Sequence, residues 1–249
     1  MNHRVTLFGM QIDSLTMPQT IERIQSWIAA GGPCRYAVTP NVDHAVMYQH
    51  SEPLRKAYAD ASLVLADGMP VLWASRLLRR PLPQRVPGSD LVPALFQSAQ
   101  QPLTVYLLGA APGVAERAAW QIERRWPQVR VVGSYSPPLG FERDERENLE
   151  ILARIRTSRP DVLIVGLGAP KQELWLQAHR DQIAAPVALA VGATIDFLAG
   201  EKARAPRWMR RIGLEWVHRL FTEPRRLAAR YARDAWIFPQ LVWSEWRTA

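Results

Sequence analysis

Short apolar runs recur along the chain, and the stretches between them carry apolar residues at helical spacing. Val5–Phe8, Arg35–Thr39, Leu63–Ala66, Thr104–Leu108, Val129–Val132, Val162–Val165 and Val187–Val191 read as strands, each a brief β-branched or aliphatic block. Val114–Arg125 and Arg143–Arg156 read as amphipathic helices, with apolar residues three and four apart. Strand and helix alternating in this way predict an α/β fold, a Rossmann-like, mainly parallel sheet with helices on both faces. After about residue 200 the strand pattern stops. Aromatic residues and arginines interleave there, and Pro206, Pro224 and Pro239 punctuate what reads as a set of short helices. The expected organisation is an α/β catalytic core over residues 1–200 and a basic, tryptophan-rich helical appendage over 201–249.

In a parallel sheet ligands bind outside the carboxyl ends of the strands. Those ends read Thr39-Pro40-Asn41, Ala66-Asp67-Gly68, Gly109 to Gly113 (GAAPG), Gly166 to Glu173 (GLGAPKQE) and Gly192 to Phe197 (GATIDF). Polar and glycine-rich residues fall repeatedly on one rim, which is the expected site.

With 249 residues, 48% of them hydrophobic, the chain is long enough for one large domain, or a domain and an appendage. Cys34 is its one cysteine, so no disulfide framework forms and a reducing cytoplasm is the expected compartment. The opening residues lack the apolar core of a signal peptide, and no run of about 18 apolar residues suggests a membrane span. The net charge of +8 is concentrated between Lys202 and Arg233, where only Glu215 and Glu223 are acidic. Such a block attracts a polyanion, whether nucleic acid, anionic lipid or diphosphate, and composition does not choose among them. Trp236, Trp243 and Trp246 beyond it suit a helix lying on a membrane surface.

Individual motifs admit two readings each. GAAPG follows a strand and opens a helix, so Gly109 and Gly113 belong either to a cradle for phosphate or ribose or to a plain tight turn. The next strand ends in Gly133 and Ser134 rather than an acid, which disfavours NAD. Asp67 is either a general base at a strand end or a cap for the helix beginning near Pro70. Thr39 and Asn41 on the neighbouring rim favour the first reading, and His44 reads as a supporting residue beside them. Gln172 offers both a donor and an acceptor at a strand end, Lys171 offsets charge, and Glu173 reads as a capping or orienting group. The arginines form either a solvated face or a ligand site, and arginine at the start of the Pro224 helix opposes its dipole unless an anion binds there. No Asp-x-Asp and no cluster at metal-ligand spacing occurs, so neither metal nor cofactor is expected.

Taken in order, TPNVD, ADGMPVLWASR, RVPGSDL, YLLGAAPG, GLGAPKQELW, GATIDFLAG, RAPRWMRRIGLEW and RLFTEPRRLAARY resemble the WecG/TagA/CpsF family of glycosyltransferases, from near Val5 to near Tyr231. The resemblance implies a bacterial enzyme on the inner face of the cell membrane. It would move a sugar from a UDP-sugar to a polyprenyl-diphosphate-linked saccharide for cell-surface polysaccharide, with inversion and without metal. It implies Asp67 as the base and Thr39, Asn41 and Gln172 as substrate residues; given that, the glycine-rich rim of Gly109, Gly113, Gly166 and Gly168, with Lys171, reads as the donor's place. Arg219, Arg225, Arg226 and Arg230 would meet the diphosphate. N-acetylmannosamine, its uronic acid and glucose all remain open as the sugar, and a homo-oligomer is left open. The rival reading is a nucleic-acid-binding protein using the basic helices; its support is charge alone, and no nucleic-acid partner is expected.

Overall fold

A computed structural model describes residues 4–248. In chain order its elements are β1 (Arg4–Leu7), β2 (Met10–Asp13), α1 (Met17–Ala30), β3 (Arg35–Val38), α2 (Val42–His50), α3 (Glu52–Ala59), β4 (Leu63–Val64), α4 (Met69–Leu77), α5 (Gly88–Ser98) and β5 (Leu103–Gly109). They continue as α6 (Val114–Arg125), β6 (Val129–Tyr135), α7 (Glu145–Ser158), β7 (Val162–Gly166), α8 (Lys171–His179), β8 (Val187–Ala190), α9 (Thr194–Leu198), α10 (Arg207–Arg211), α11 (Glu215–Thr222) and α12 (Pro224–Thr248).

Six strands form one parallel sheet in the order β4-β3-β8-β7-β5-β6. Neighbouring side chains along each strand enter opposite cores: Val38, Leu163, Val165 and Ala190 pack on one face, Ala37, Ile164, Leu189 and Leu107 on the other. Burial on both faces is why these strands read as unbroken apolar runs. This bears out the expected Rossmann-like α/β sheet.

One expected strand lies elsewhere. Val5–Phe8 belongs to a separate antiparallel hairpin, β1–β2, whose second strand was not foreseen. Its turn places Phe8 at φ 55° and Gly9 at φ 79°, the two positive values of a tight hairpin turn. Asp13 of β2 accepts the Val64 N–H at 2.9 Å, so the hairpin covers the β4 edge of the main sheet.

The C-terminal helices also differ from their expected form. Pro239 sits inside α12, which runs unbroken for 25 residues. Proline removes one helical hydrogen bond, but Phe238, Leu241 and Val242 on either side of it pack against the core and hold the helix on course. Further contacts lash α12 to the body. The Phe238 ring lies 5.1 Å from that of Phe8, Glu245 accepts the Phe8 N–H at 2.6 Å and pairs with Arg80 at 2.7 Å, and Arg230 and Arg233 both pair with Asp43 of α2. No helix among the described residues is long and apolar enough to cross a membrane.

Phe238 is 9% exposed. Phe238→Ala should therefore lower the unfolding free energy by roughly 3 kcal/mol, measured by chemical denaturation; little or no loss would mean that α12 detaches from the core without consequence.

Candidate active site

The carboxyl ends of the strands are built from backbone that approaches too closely for side chains. A Cβ on Gly109 would lie 2.5 Å from the Gly166 carbonyl oxygen, and one on Gly166 would lie 2.8 Å from that of Gly192. The structure thus brings Gly109, Gly166 and Gly192 side by side. Gly113, at φ 79°, starts α6 without any side-chain cap, and Gly168, at φ 81°, turns the chain towards α8 with open space where a Cβ would be. Ser136 closes the far side, its hydroxyl donating to the carbonyls of Gly109 and Ala111 at 3.2 and 3.3 Å.

Asp67 stands where β4 runs out. Its N–H donates to Pro40 O at 2.8 Å, continuing the ladder beyond the strand and bringing the residue beside the Thr39-Pro40-Asn41 turn. The capping alternative does not hold. The cap of α4 is Gly68, at φ 104°, with no side-chain bond to the helix, and the half-buried Asp67 carboxyl makes no hydrogen bond with the described residues. Burial, and then the charge of Glu215, push its pKa up from 3.8 to about 6, while Arg85, His44 and Arg219 pull the other way.

Arg85 belongs to a network that sequence alone did not assign. Arg85, Arg204 and Arg210 converge on Asp90, at 3.6, 2.8 and 3.1 Å, and Arg85 and Arg204 also reach Glu215, at 3.9 and 3.7 Å. It joins the start of α5 to α10 and α11, and Gly213 between those helices rests on Met69 and Trp73 of α4, where a Cβ would come within 2.7 Å of Met69. The segment after residue 200 therefore sits over the entrance of α4, next to Asp67. The clue in the sequence was Arg85-Val86-Pro87-Gly88-Ser89-Asp90, whose pairing with residues more than a hundred positions away no local pattern reveals.

The remaining expected residues divide. Thr39 is buried, its hydroxyl donating to Ala190 O at 3.2 Å. Asn41 caps α2, accepting the His44 N–H at 3.3 Å. The Gln172 amide, 3% exposed, is engaged at both ends, accepting the Gly192 N–H at 3.1 Å and donating to Glu173 at 2.8 Å. Glu173 is fully buried, its Oε1 3.3 Å from His44 Nε2. Lys171 pairs with Glu142 at 2.8 Å. Among the arginines, Arg230 is held by Asp43, Arg226 pairs with Glu223 at 2.6 Å, and Arg225 is exposed. Arg219 is half-buried, has a buried Nε without a hydrogen-bond partner in the described residues, and acts on Asp67.

A glycine rim, a carboxyl with a raised pKa and adjoining arginines thus meet at one end of the sheet. The chain belongs to the glycosyl transferase WecG/TagA/CpsF family, whose pattern matches residues 5–249. It is 32% identical over 233 residues, 90% of this chain and 87% of the relative, to the N-acetylglucosaminyldiphosphoundecaprenol N-acetyl-beta-D-mannosaminyltransferase of Staphylococcus aureus strain NCTC 8325. The proteins of that name from strains COL and MRSA252 are similar to the same extent. The protein is a glycosyltransferase.

Asp67 also bears on stability. A carboxyl whose folded-state pKa is raised binds its proton more tightly in the fold, so its contribution is present below pH 3.8 and is lost as pH rises through about 6. Asp67→Asn should accordingly raise the melting temperature at neutral pH and leave it unchanged in acid, measured by thermal unfolding across pH; an equal shift at all pH values would contradict the assigned cause.

Proposed function

We propose that this glycosyltransferase moves a sugar from a UDP-sugar to a polyprenyl-diphosphate-linked saccharide at the inner face of the cell membrane, with inversion at the anomeric carbon. The name of the Staphylococcus aureus relatives makes N-acetylmannosamine the first donor sugar to test and N-acetylglucosaminyl-diphospho-undecaprenol the first acceptor. The observation that carries the reading is Asp67, a carboxylate at the strand-end rim with a pKa of about 6 and without a structural bond to satisfy. A base of that strength is largely ionised at neutral pH and still takes up a proton readily.

In the proposed reaction the donor lies along Gly109, Gly113, Gly166 and Gly168, where main chain approaches without intervening side chains. Asp67 removes the proton of the acceptor hydroxyl as its oxygen bonds to C1 from the face opposite the nucleotide. The bond from C1 to the diphosphate oxygen breaks, and UDP leaves with the electron pair. Arg219 is assigned to meet the developing phosphate charge: its charge reaches Asp67, and its buried Nε, like those of Arg204, Arg210 and Arg230, has no hydrogen-bond partner among the described residues. Arg225 and Arg226 supply further positive charge nearby. Such preorganised donors lower a barrier by several kcal/mol. Arginines in this role do the work that a divalent cation does elsewhere, which supports metal-independent transfer.

The exposed Trp208, Trp216, Trp236 and Trp243, with the exposed Arg225, support attachment to the surface where the lipid acceptor resides. In this reading residues 201–249 both anchor the enzyme and cover the site.

The test is UDP release by the full-length protein with each UDP-sugar, with and without the lipid-linked acceptor, beside Asp67→Asn. Acceptor-dependent release from one donor, reduced about 10²- to 10⁴-fold in the variant, is expected. Wild-type rates in the variant would remove Asp67 as the base, and no acceptor dependence with any donor would overturn the transferase assignment to this substrate class.

A further inference from the structure

His44, in the first turn of α2, is 6% exposed and faces an oxygen on each side of its ring: Nδ1 is 2.9 Å from Asn41 Oδ1 and Nε2 is 3.3 Å from Glu173 Oε1. The direction of each bond is fixed from the two ends of the chain, because both ends are backbone N–H groups, which only donate. At one end the His44 N–H donates to Asn41, so the Asn41 oxygen is the atom turned to the ring. At the other end the Gly192 N–H donates to Gln172 Oε1, so the Gln172 amide nitrogen is the atom that donates to Glu173 Oε1. The ring therefore lies between two oxygens that accept elsewhere, an arrangement in which a donor on each ring nitrogen satisfies both contacts. Only the imidazolium carries two N–H groups. The Asn41 N–H also donates to Nδ1, at 3.4 Å, as the reciprocal half of the capping box; that bond needs a neutral Nδ1 and competes with the 2.9 Å contact to the Asn41 oxygen, and the ring's charge state decides between them.

We propose that His44 is a positioning residue, held as an imidazolium, that locks the side chains of Asn41 and Gln172 and through them the donor face of the rim. Asn41 spends its oxygen on His44, so its Nδ2, which makes no hydrogen bond with the described residues, is the group left for an oxygen of the sugar or diphosphate. Gln172, gripped by Glu173, holds the Gly192 turn. This consequence for substrate rests on the transferase reading; the charge state of the ring does not.

The surrounding charges agree. Burial pulls the His44 pKa down, but its bond to Glu173 and the charges of Glu173, Asp43 and Asp67 outweigh burial, and the net direction is up. Tyr58 of α3 flanks the ring as a neutral phenol, its own pKa driven up by burial. Arg230 and Arg233 of α12 pair with Asp43, the acid that precedes His44 in α2.

Ring ¹⁵N spectra of histidine-labelled full-length protein test the charge state, with His44→Gln identifying the resonance. Two protonated ring nitrogens at about pH 7.5, well above the ordinary histidine value, are expected; a neutral tautomer at that pH would overturn the proposal. Kinetics test the positioning. Asn41→Ala and His44→Gln should each raise KM for the UDP-sugar about tenfold, with kcat much less affected, and the double variant should show the same tenfold rise. A hundredfold rise would mean that the two act independently, against the proposal. The spectra are recorded on the free enzyme, so absence of turnover, which would sink the transferase reading, leaves the charge-state test standing.

Discussion

At the ends of β5, β7 and β8 three backbones converge, leaving no room for a Cβ on Gly109 or Gly166. Much of the site follows from that steric constraint. Because main chain rather than side chain lines this part of the rim, the Gly192 N–H is free to meet Gln172, and Gln172 brings Glu173 and the start of α8 in beneath the rim. Glu173 in turn meets His44 of α2, so the turn after β3 and the turn after β8 share one buried polar chain. Gly88 extends the same principle to the other face, where a Cβ would press within 2.7 Å of Val191 and push α5 away from the sheet. A side chain at any of these positions would separate elements whose contact creates the site.

On this frame sits an electrostatic arrangement that works against stability. Asp67 is partly removed from water, close to Glu215 and unsupported by any hydrogen bond from the described residues, and the fold tolerates the cost. Arg85, Arg204 and Arg210 around Asp90 and Glu215 do two things at once. They join the C-terminal helices to the core, and Arg85 among them, with His44 and Arg219, opposes the rise in the Asp67 pKa. Such strain at a reactive group is common where activity and stability compete.

Much of this was legible in the sequence, for physical reasons. Strands buried on both faces must be apolar throughout, so β3, β5, β7 and β8 announced themselves, and glycines and polar residues immediately after them marked the rim. Val114–Arg125 was readable to the residue because its apolar face is regular and Gly113 and Trp126 bracket it. Met10–Asp13 was not readable: four residues give too short an alternation, and the strand exists because Asp13 binds Val64 and α12 covers the turn. Pro239 misled for a similar reason, since packing on a distant hairpin overrides its local effect. The arginine network and the chain from Asn41 to Gly192 join segments far apart in sequence, and their partners are set by sheet order rather than by spacing.

The central claim is that Asp67 supplies the base at this rim, and the pH dependence of kcat/KM for sugar transfer tests it most directly. The account predicts a rate that rises in proportion to the ionised fraction of one group and levels off above pH of about 6, an ascending limb that Asp67→Asn abolishes together with most of the activity. A wild-type rate independent of pH between about 4.5 and 7, or an unchanged limb in the variant, would contradict it.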